Sequence, residues 1–191
     1  WGEIPQIKQA MHYFKEEWED NGVEKDWPSL TKIYKASNSL IGGTIWHPFD
    51  HQRGYHPDPF WGGIMDAYRQ PKFSYFMMKS LLPTNGLETV PNVDAEPFVY
   101  IAHLLSPFSP KDITVFTNCD EVRLTMYGKE IGIKKATDEN SPVPRVPVVF
   151  KDVFRYVDIR NKNKKDYNKI NQSHTEESIV KAEGLIDGKV V

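Results

Sequence analysis

Apolar residues recur at steps of three and four positions near the amino end of the chain. They are Ile4, Ile7, Met11, Phe14 and Trp18. This spacing places the side chains in one stripe along an α-helix, so a helix is predicted over residues 4–17. Pro5 suits the first turn of that helix. The sequence before the first strand supplies no apolar partner for the stripe, so we expect it to be exposed and to promote self-association.

A second pattern, a short apolar and β-branched run at residues 40–46, predicts a buried strand. The run ends before Pro48, which cannot donate a hydrogen bond to a neighbouring strand. Histidine, aspartate, arginine and aromatic residues crowd the loop that follows, and a helix is predicted at residues 75–79. In barrel enzymes the active site lies at the carboxyl ends of the strands. Any chemistry is therefore expected directly after Trp46.

The second half of the chain has a different pattern. Turn-forming residues fill positions 83–97, which predicts a linker. Beyond it, short apolar or alternating runs predict a series of strands. These strands cover residues 98–105, 112–119, 122–127, 130–135, 146–150, 156–159 and 178–183. Gly128-Lys129 is a hairpin signal between two of them. This many short strands favours a β-sandwich of the immunoglobulin type.

Composition narrows the class of protein without specifying a function. The 191 residues are 39% hydrophobic and 13% aromatic, which is enough to bury one or two domain cores. The net charge of −2 gives no support for a nucleic-acid or membrane-surface partner. No apolar run approaches the roughly 18 residues that a membrane span needs. Cys119 is the single cysteine, so an internal disulfide is excluded.

Three segments carry a resemblance to a known family. Residues 42–50 read Gly-Gly-Thr-Ile-Trp-His-Pro-Phe-Asp, and residues 62–72 read Gly-Gly-Ile-Met-Asp-Ala-Tyr-Arg-Gln-Pro-Lys. With residues 75–79, these segments resemble the last strand, loop and helix of the catalytic barrel in glycoside hydrolase family 2, the β-galactosidase and β-glucuronidase group. Residues 112–132 resemble the immunoglobulin-like domain that follows that barrel in many members.

The resemblance implies a fold that is α/β in its first part and all-β in its second. Residues 1–83 would be the C-terminal remnant of a (β/α)8 TIM barrel, comprising helix, strand, loop and helix. Residues 84–96 would be a linker, and residues 97–191 an immunoglobulin-like β-sandwich. The chain starts directly at a helix and ends in a strand-and-turn pattern, so we expect a piece of a longer polypeptide whose other domains are its partners.

The family resemblance also implies a retaining mechanism without a cofactor, in which two glutamates act as acid/base and nucleophile. Both glutamates belong to earlier barrel strands. The nucleophile would precede the helix at residues 4–17, so no catalytic residue is expected in this chain, and the chain alone is expected to be inactive. Glu3 is the only carboxylate near that junction and is the one candidate within these residues.

What the chain would retain is part of the wall that binds a terminal β-linked sugar. Trp46 matches the strand-end tryptophan of the family, whose indole can lie against the apolar face of a pyranose. The other candidate substrate-binding residues are polar side chains that could bond to ring hydroxyls: His47, Asp50, His51 and Arg53. For each of these four, a purely structural role in the loop stays open. His47 also replaces an acidic residue of the better-known β-galactosidases, which puts galactose specificity in doubt.

Two alternatives stay open. A metal site could use His47, His51, His56, Asp50 and Asp58. Their spacing matches no compact zinc pattern, so no metal is predicted. The other alternative is a non-catalytic carbohydrate-binding or interaction module built on the sandwich. The resemblance implies a periplasmic or extracellular location, because polysaccharide-degrading members of such families are commonly exported.

Overall fold

The computed structural model describes residues 3–14, 19–20, 23–24, 30–36, 47–85, 96–156, 158 and 180–191. Its contacts divide the chain into two compact units. The helical unit comprises residues 1–81 and 139–144, and the sandwich unit comprises residues 82–138 and 145–191. The predicted strand at residues 40–46 and most of the predicted linker lie outside the described residues. The three-part division predicted from the sequence therefore stays a prediction.

The helical unit contains three helices and a short hairpin among its described residues. The helices are α1 (Glu3–Phe14), α2 (Leu30–Lys35) and α3 (Phe73–Lys79). The hairpin pairs β1 (Glu19–Asp20) with β2 (Val23–Glu24). The helices α1 and α3 agree with the predicted helices at residues 4–17 and 75–79. The sequence analysis missed α2, whose six residues are too few to show a clear helical period.

The buried face of α1 differs from the predicted stripe. Ile4 is 45% exposed, whereas Ala10 and Phe14 are buried and Glu3 is buried in the first turn. The predicted exposure of the stripe was wrong at Phe14, because α1 packs against α3, a later helix, while the predicted self-association stays a prediction. Side chains of α1 contribute polar bonds to this contact: Gln6 Oε1 accepts from the Phe73 backbone N–H at 3.3 Å, and Gln9 Oε1 accepts from Ser74 Oγ at 3.3 Å.

The described strands of the sandwich unit form two antiparallel sheets. The first sheet has the order β3 (Val99–Ala102), β4 (Ile113–Thr117), β7 (Val148–Phe150). The second has the order β6 (Lys129–Lys135), β5 (Glu121–Met126), β8 (Val180–Ile186), β9 (Lys189–Val190). The expected β-sandwich is thus confirmed at the level of mainly β structure with few helices, and the immunoglobulin type stays a prediction.

One apolar cluster draws residues from both sheets. Its buried members are Ile113, Val115, Val122, Leu124, Met126, Ala136, Val148, Phe150 and Phe154. Buried and half-buried residues alternate along β5, as expected for a strand with one face on the core. Tyr127 and Gly128 have φ angles of 57° and 75° and join β5 to β6, so the predicted hairpin is confirmed with a turn of the type that suits twisted strands.

One predicted strand of the sandwich was wrong. Tyr156 and Asp158, in the predicted strand at residues 156–159, have helical geometry, and the Asp158 N–H donates to the Arg155 carbonyl at 3.0 Å. The chain leaves the sheet earlier, after Phe150. Asp152 there has a φ of 53°, and its N–H donates to Asp112 Oδ1 at 2.7 Å. The left-handed backbone of Asp152, held by its hydrogen bond to the Asp112 side chain, turns the chain out of the sheet.

Cys119 is buried directly after β4, with 1% of its surface exposed. A Cβ placed on Gly184 of β8 would lie 2.6 Å from the Cys119 sulfur, so only glycine fits beside the thiol. The thiol therefore packs within the sandwich as a small apolar group.

Candidate functional site

Residues 47–72 of the helical unit, here called the rim segment, contain four of the five predicted sugar-binding residues. The segment is folded by backbone bonds although it holds no regular strand. His51 and Phe60 exchange two backbone hydrogen bonds of 3.1 and 2.9 Å. Further bonds join Met65 N–H to the Pro48 carbonyl at 2.9 Å and Asp50 N–H to the Met65 carbonyl at 3.0 Å. His51 and Phe60 thus form an antiparallel bridge, and the chain then turns again so that Met65 forms a parallel bridge with Phe49.

Asp50 lies at the base of the rim segment and is buried. Its carboxylate forms an ion pair with Lys72, with Lys72 Nζ at 2.8 Å from Oδ1 and 3.0 Å from Oδ2. Oδ1 also accepts the Gly63 backbone N–H at 2.9 Å. The side chains of Asp50 and Lys72 are only 3% and 4% exposed. The predicted contact of Asp50 with sugar stays a prediction, and the structure assigns this carboxylate bonds within the loop.

Lys72 is the residue of this site that the sequence analysis missed. Its ammonium group has three donors, and it also donates to the Trp61 carbonyl at 2.9 Å. Lys72 stands immediately before α3 as its N-cap residue. The sequence signal for it is that a lysine directly precedes the apolar residues of α3. A lysine buried there needs a charged partner, because burying an unpaired charge is costly.

His47 and His51 form an aromatic cluster with Phe60. The two imidazole centroids are 4.2 Å apart, and the His51 and Phe60 ring centroids are 5.1 Å apart. His47 has a φ of 59°, a left-handed conformation that is uncommon for a residue with a side chain. Both histidines are half-buried. The structure thus brings these two predicted residues together, and their contact with sugar stays a prediction.

Arg53 lies at the tip of the rim segment. Its Nε and Nη2 donate to the Asp58 carbonyl, each at 3.2 Å, and Nη2 lies 3.3 Å from His56 Nδ1. These bonds close the turn over residues 53–58. Trp46, the fifth predicted sugar-binding residue, lies outside the described residues. Glu3 is buried at the start of α1, and its candidacy as a catalytic residue stays a prediction.

Side chains of α1 form hydrogen bonds with residues 61–63 of the rim segment, here called its returning arm. Tyr13 OH donates to the Gly62 carbonyl at 2.6 Å, and Gln9 Nε2 donates to the carbonyls of Trp61 and Gly63 at 3.2 and 3.3 Å. Burial of the phenol raises the pKa of Tyr13 above its ordinary value of 10, and the negative charge of Asp50 raises it further. Tyr13 therefore stays protonated and able to donate at neutral pH.

A metal ion has no assembled ligand set in the described part of the chain. No group of three or more His, Cys, Asp or Glu side chains is arranged there to hold an ion. Arg53 Nη2 lies 3.3 Å from His56 Nδ1, and the His47 and His51 rings contact each other with their planes inclined at 53°. Among the described helices, none has the length and apolar character needed to cross a membrane.

Comparison with known proteins gives both a sequence and a fold relationship. The model of a family described as a domain of unknown function (DUF4982) matches residues 109–156. A Formosa agariphila protein named "Putative beta-glucuronidase" is 27% identical over 130 residues, which are 62% of this chain and 14% of that protein. The chain therefore spans about a seventh of the length of this relative.

Solved structures share the fold. A β-glycosidase from Bacteroides vulgatus superimposes with a TM-score of 0.52 and 21% identity, over 85% of this chain and 17% of that chain. A β-glucuronidase described as belonging to glycoside hydrolase family 2 gives a TM-score of 0.53 and 19% identity, over 98% and 15%. A Bacteroides uniformis β-glucuronidase gives 0.52 and 18%, over 85% and 17%.

These comparisons agree with the resemblance carried by residues 42–79 and 112–132. The DUF4982 match overlaps the second of these segments and is consistent with a C-terminal region of a family 2 protein. The relatives and structural neighbours of this chain are thus β-glucuronidases and β-glycosidases, and its resemblance to glycoside hydrolase family 2 is confirmed.

Proposed function

We propose that these residues are part of a longer retaining glycoside hydrolase that acts on terminal β-linked sugars and cleaves O-glycosyl bonds. The helical unit would be the C-terminal remnant of its (β/α)8 barrel, and the sandwich unit its immunoglobulin-like domain. The relationship to β-glucuronidases supports this proposal. Because the relatives carry that name, a β-glucuronide is the first substrate to test, and a β-galactoside is the second.

The observation that carries the proposal is the construction of the rim segment. It follows the run at residues 40–46 and presents His47 and His51, while Asp50 and α1 hold its base and its returning arm. A sugar site needs such fixed aromatic and polar groups, because a pyranose offers an apolar face and hydroxyls in set directions. Trp46, at the end of the predicted strand, would supply the stacking surface.

Catalysis itself would come from glutamates outside these residues. A retaining site needs two carboxyl groups about 5 to 5.5 Å apart. Glu3 is the only candidate named within this chain, and this residue is buried at the start of α1. The chain alone is therefore proposed to be inactive and to need the remaining domains of the parent protein. The mechanism requires no cofactor, and a periplasmic or extracellular location is part of the same proposal.

The test compares this 191-residue chain with its longest natural form on p-nitrophenyl β-glucuronide and p-nitrophenyl β-galactoside. We expect turnover only by the longer form. In that form, Trp46→Ala should raise KM at least about tenfold, the equivalent of about 1.4 kcal/mol of lost stacking. Turnover by the 191-residue chain alone would overturn the placement of the catalytic glutamates, and Glu3→Gln would then be the variant to examine.

A second candidate is a carbohydrate-binding or interaction module in the sandwich unit. It is favoured by the loop between β3 and β4, where Phe108 is 87% exposed and Leu104 is 57% exposed. His103 fixes this loop: Leu105 N–H donates to its Nδ1 at 3.0 Å, so the other nitrogen carries the proton and donates to the Pro110 carbonyl at 2.9 Å. Phe108 is thus an exposed aromatic group on a fixed loop.

The two candidates are separated by a matched pair of variants in the longer protein. Trp46→Ala should weaken action on the aryl glycosides, while Phe108→Ala should leave KM unchanged because Phe108 is not among the proposed sugar-binding residues. If Phe108→Ala instead abolishes retention on an insoluble β-glycan and Trp46→Ala has no effect on turnover, the binding-module function is the correct one.

A further inference from the structure

Lys72 connects three separate parts of the rim segment through one ammonium group. Lys72 Nζ donates to both carboxylate oxygens of Asp50 at the base of the segment and to the Trp61 carbonyl, which lies 11 positions further along it. The lysine itself precedes α3, which packs against α1. One buried cation therefore ties the start of the segment, its return and a helix together.

The returning arm is fixed from both sides. On one side, Asp50 Oδ1 accepts a hydrogen bond from the Gly63 N–H. On the other, Gln9 and Tyr13 of α1 donate hydrogen bonds to the carbonyls of residues 61–63. Gly63 has no room for a side chain, because an added Cβ would lie 2.3 Å from the Phe49 carbonyl carbon and 2.4 Å from Asp50 N. The backbone of residues 61–63 is thus set by directional bonds and by close backbone contact.

The choice of charged side chains for this position is informative. Taking a carboxylate and an ammonium out of water is costly, and a packed apolar pair of similar volume is often at least as stable. An apolar pair, however, could not receive the Gly63 N–H or bond the Trp61 carbonyl. The ion pair therefore fixes the backbone positions of Trp61 and Gly63 in the loop.

We propose that Asp50 and Lys72 are positioning residues that hold residues 61–63, and with them the half-exposed indole of Trp61, at the proposed sugar site. Trp61 is 44% exposed, and its carbonyl accepts both Lys72 Nζ and Gln9 Nε2. In addition to Trp46, Trp61 then becomes an aromatic contact for the apolar face of a pyranose. This inference rests on the proposed function and deepens it.

The first test uses hydrogen exchange on the intact 191-residue chain, which needs no enzymatic activity. In Lys72→Met, the Gly63 amide should exchange at least about tenfold faster because its carboxylate acceptor loses its partner, while amides within α1 change by less than about twofold. The matched control is Lys111→Met, which removes an exposed lysine from a 3.6 Å pair with Asp152. It should leave Gly63 exchange unchanged.

A double variant separates positioning from simple stabilisation. Asp50→Leu with Lys72→Met replaces the ion pair by apolar groups and should restore the midpoint of urea unfolding, since no unpaired charge stays buried. Gly63 exchange should stay fast in this folded variant, because no group is left to receive its N–H. Restored protection of Gly63 would overturn the positioning role.

The sugar-contact part is tested in the longest natural form with p-nitrophenyl β-glucuronide and p-nitrophenyl β-galactoside. Trp61→Ala and the double variant should each raise KM more than they lower kcat, and Tyr68→Ala, an exposed aromatic control, should change neither. Unchanged KM in an active Trp61→Ala enzyme overturns this inference and leaves the proposed function intact. A longer form that hydrolyses neither glycoside overturns the proposed function, while the exchange result on Gly63 still decides the role of the ion pair in holding the loop.

Discussion

Different kinds of interaction stabilise the inside of each of the two units. The described sandwich strands enclose a cluster of apolar side chains from both sheets. The rim segment is held instead by a buried ion pair and by side chains that donate to backbone carbonyls. Apolar contact has no preferred direction, whereas hydrogen bonds require defined distances and angles. The sandwich core thus provides cohesion, and the rim segment provides precise placement.

The largest expected effect tests the apolar side of this comparison. Phe150 of β7 is fully buried in the sandwich core. Phe150→Ala should lower the free energy of unfolding of the sandwich unit by about 3–5 kcal/mol, because it removes buried area and leaves a cavity. Urea unfolding followed by circular dichroism would measure it. Ile133→Ala on β6, where the side chain is 45% exposed, is the control and should change stability by less than about 0.5 kcal/mol.

The next effect tests the backbone contact in the rim segment. Gly63→Ala places a methyl group where only backbone atoms fit, so the loop must shift at a cost of about 1–3 kcal/mol. We expect faster amide exchange at His51 and Phe60, whose mutual bonds lie in the same loop. Gly54→Ala is the matched control, since an added Cβ there meets nothing within 4 Å. Equal exchange in the two variants would show that the close approach at Gly63 has no structural role.

A smaller effect tests one hydrogen bond and its dependence on pH. Tyr13→Phe removes the donor to the Gly62 carbonyl and should cost about 0.5–1.5 kcal/mol. Because burial and Asp50 raise the pKa of Tyr13, the stabilisation is complete below the ordinary value of 10 and is lost as the pH rises through the raised pKa.

The wild-type helical unit should therefore lose stability in alkali more steeply than Tyr13→Phe does. Thermal unfolding across the alkaline range would show this. Tyr68→Phe, at a position that is 87% exposed, should behave like the wild type. A Tyr13→Phe profile that runs parallel to the wild-type profile would mean that the phenol contributes nothing through its ionisation.

The smallest effect concerns charges on the sandwich surface. Lys181 donates to Glu183 at 2.7 Å, and this bond, together with the charge of Arg123, lowers the pKa of Glu183 below its ordinary value of 4.5. The stabilisation is present above that value and lost as the pH falls through the lowered pKa.

Glu183→Gln should therefore cost at most about 1 kcal/mol at neutral pH, as for other surface ion pairs. The difference from wild type should vanish in acid, which urea unfolding at about pH 7 and about pH 3 would measure. A difference that persists in acid would mean that the side chain stabilises β8 by packing rather than by charge.

The same contrast explains how much of the fold the sequence could predict. Alternation in β5 and the turn at Gly128 are local signals, and both were interpreted correctly. The strand predicted at residues 156–159 failed because the chain is turned by Asp112, a cap 40 positions away from Asp152. Such a bond between distant residues leaves no period in the sequence.

The sequence showed which types of residue lie in the candidate site but not how their side chains pair. The sequence showed a loop rich in histidine, aspartate and aromatic residues after residues 40–46, and the sugar contact predicted for it stays a prediction. Lys72, however, lies 22 positions from Asp50, and the pairing of these two side chains could not be read from either neighbourhood. The prediction of Asp50 as a sugar ligand stays a prediction, and it was made without its buried partner Lys72.

Cys119 gives this protein a natural chemical reporter. It is the only thiol of the chain, and it is enclosed beside Gly184 with 1% of its surface exposed. A thiol reagent can react only when the sandwich opens, so the labelling rate measures opening of that unit alone. No probe needs to be introduced, and the helical unit contributes no background, because the chain has no second cysteine.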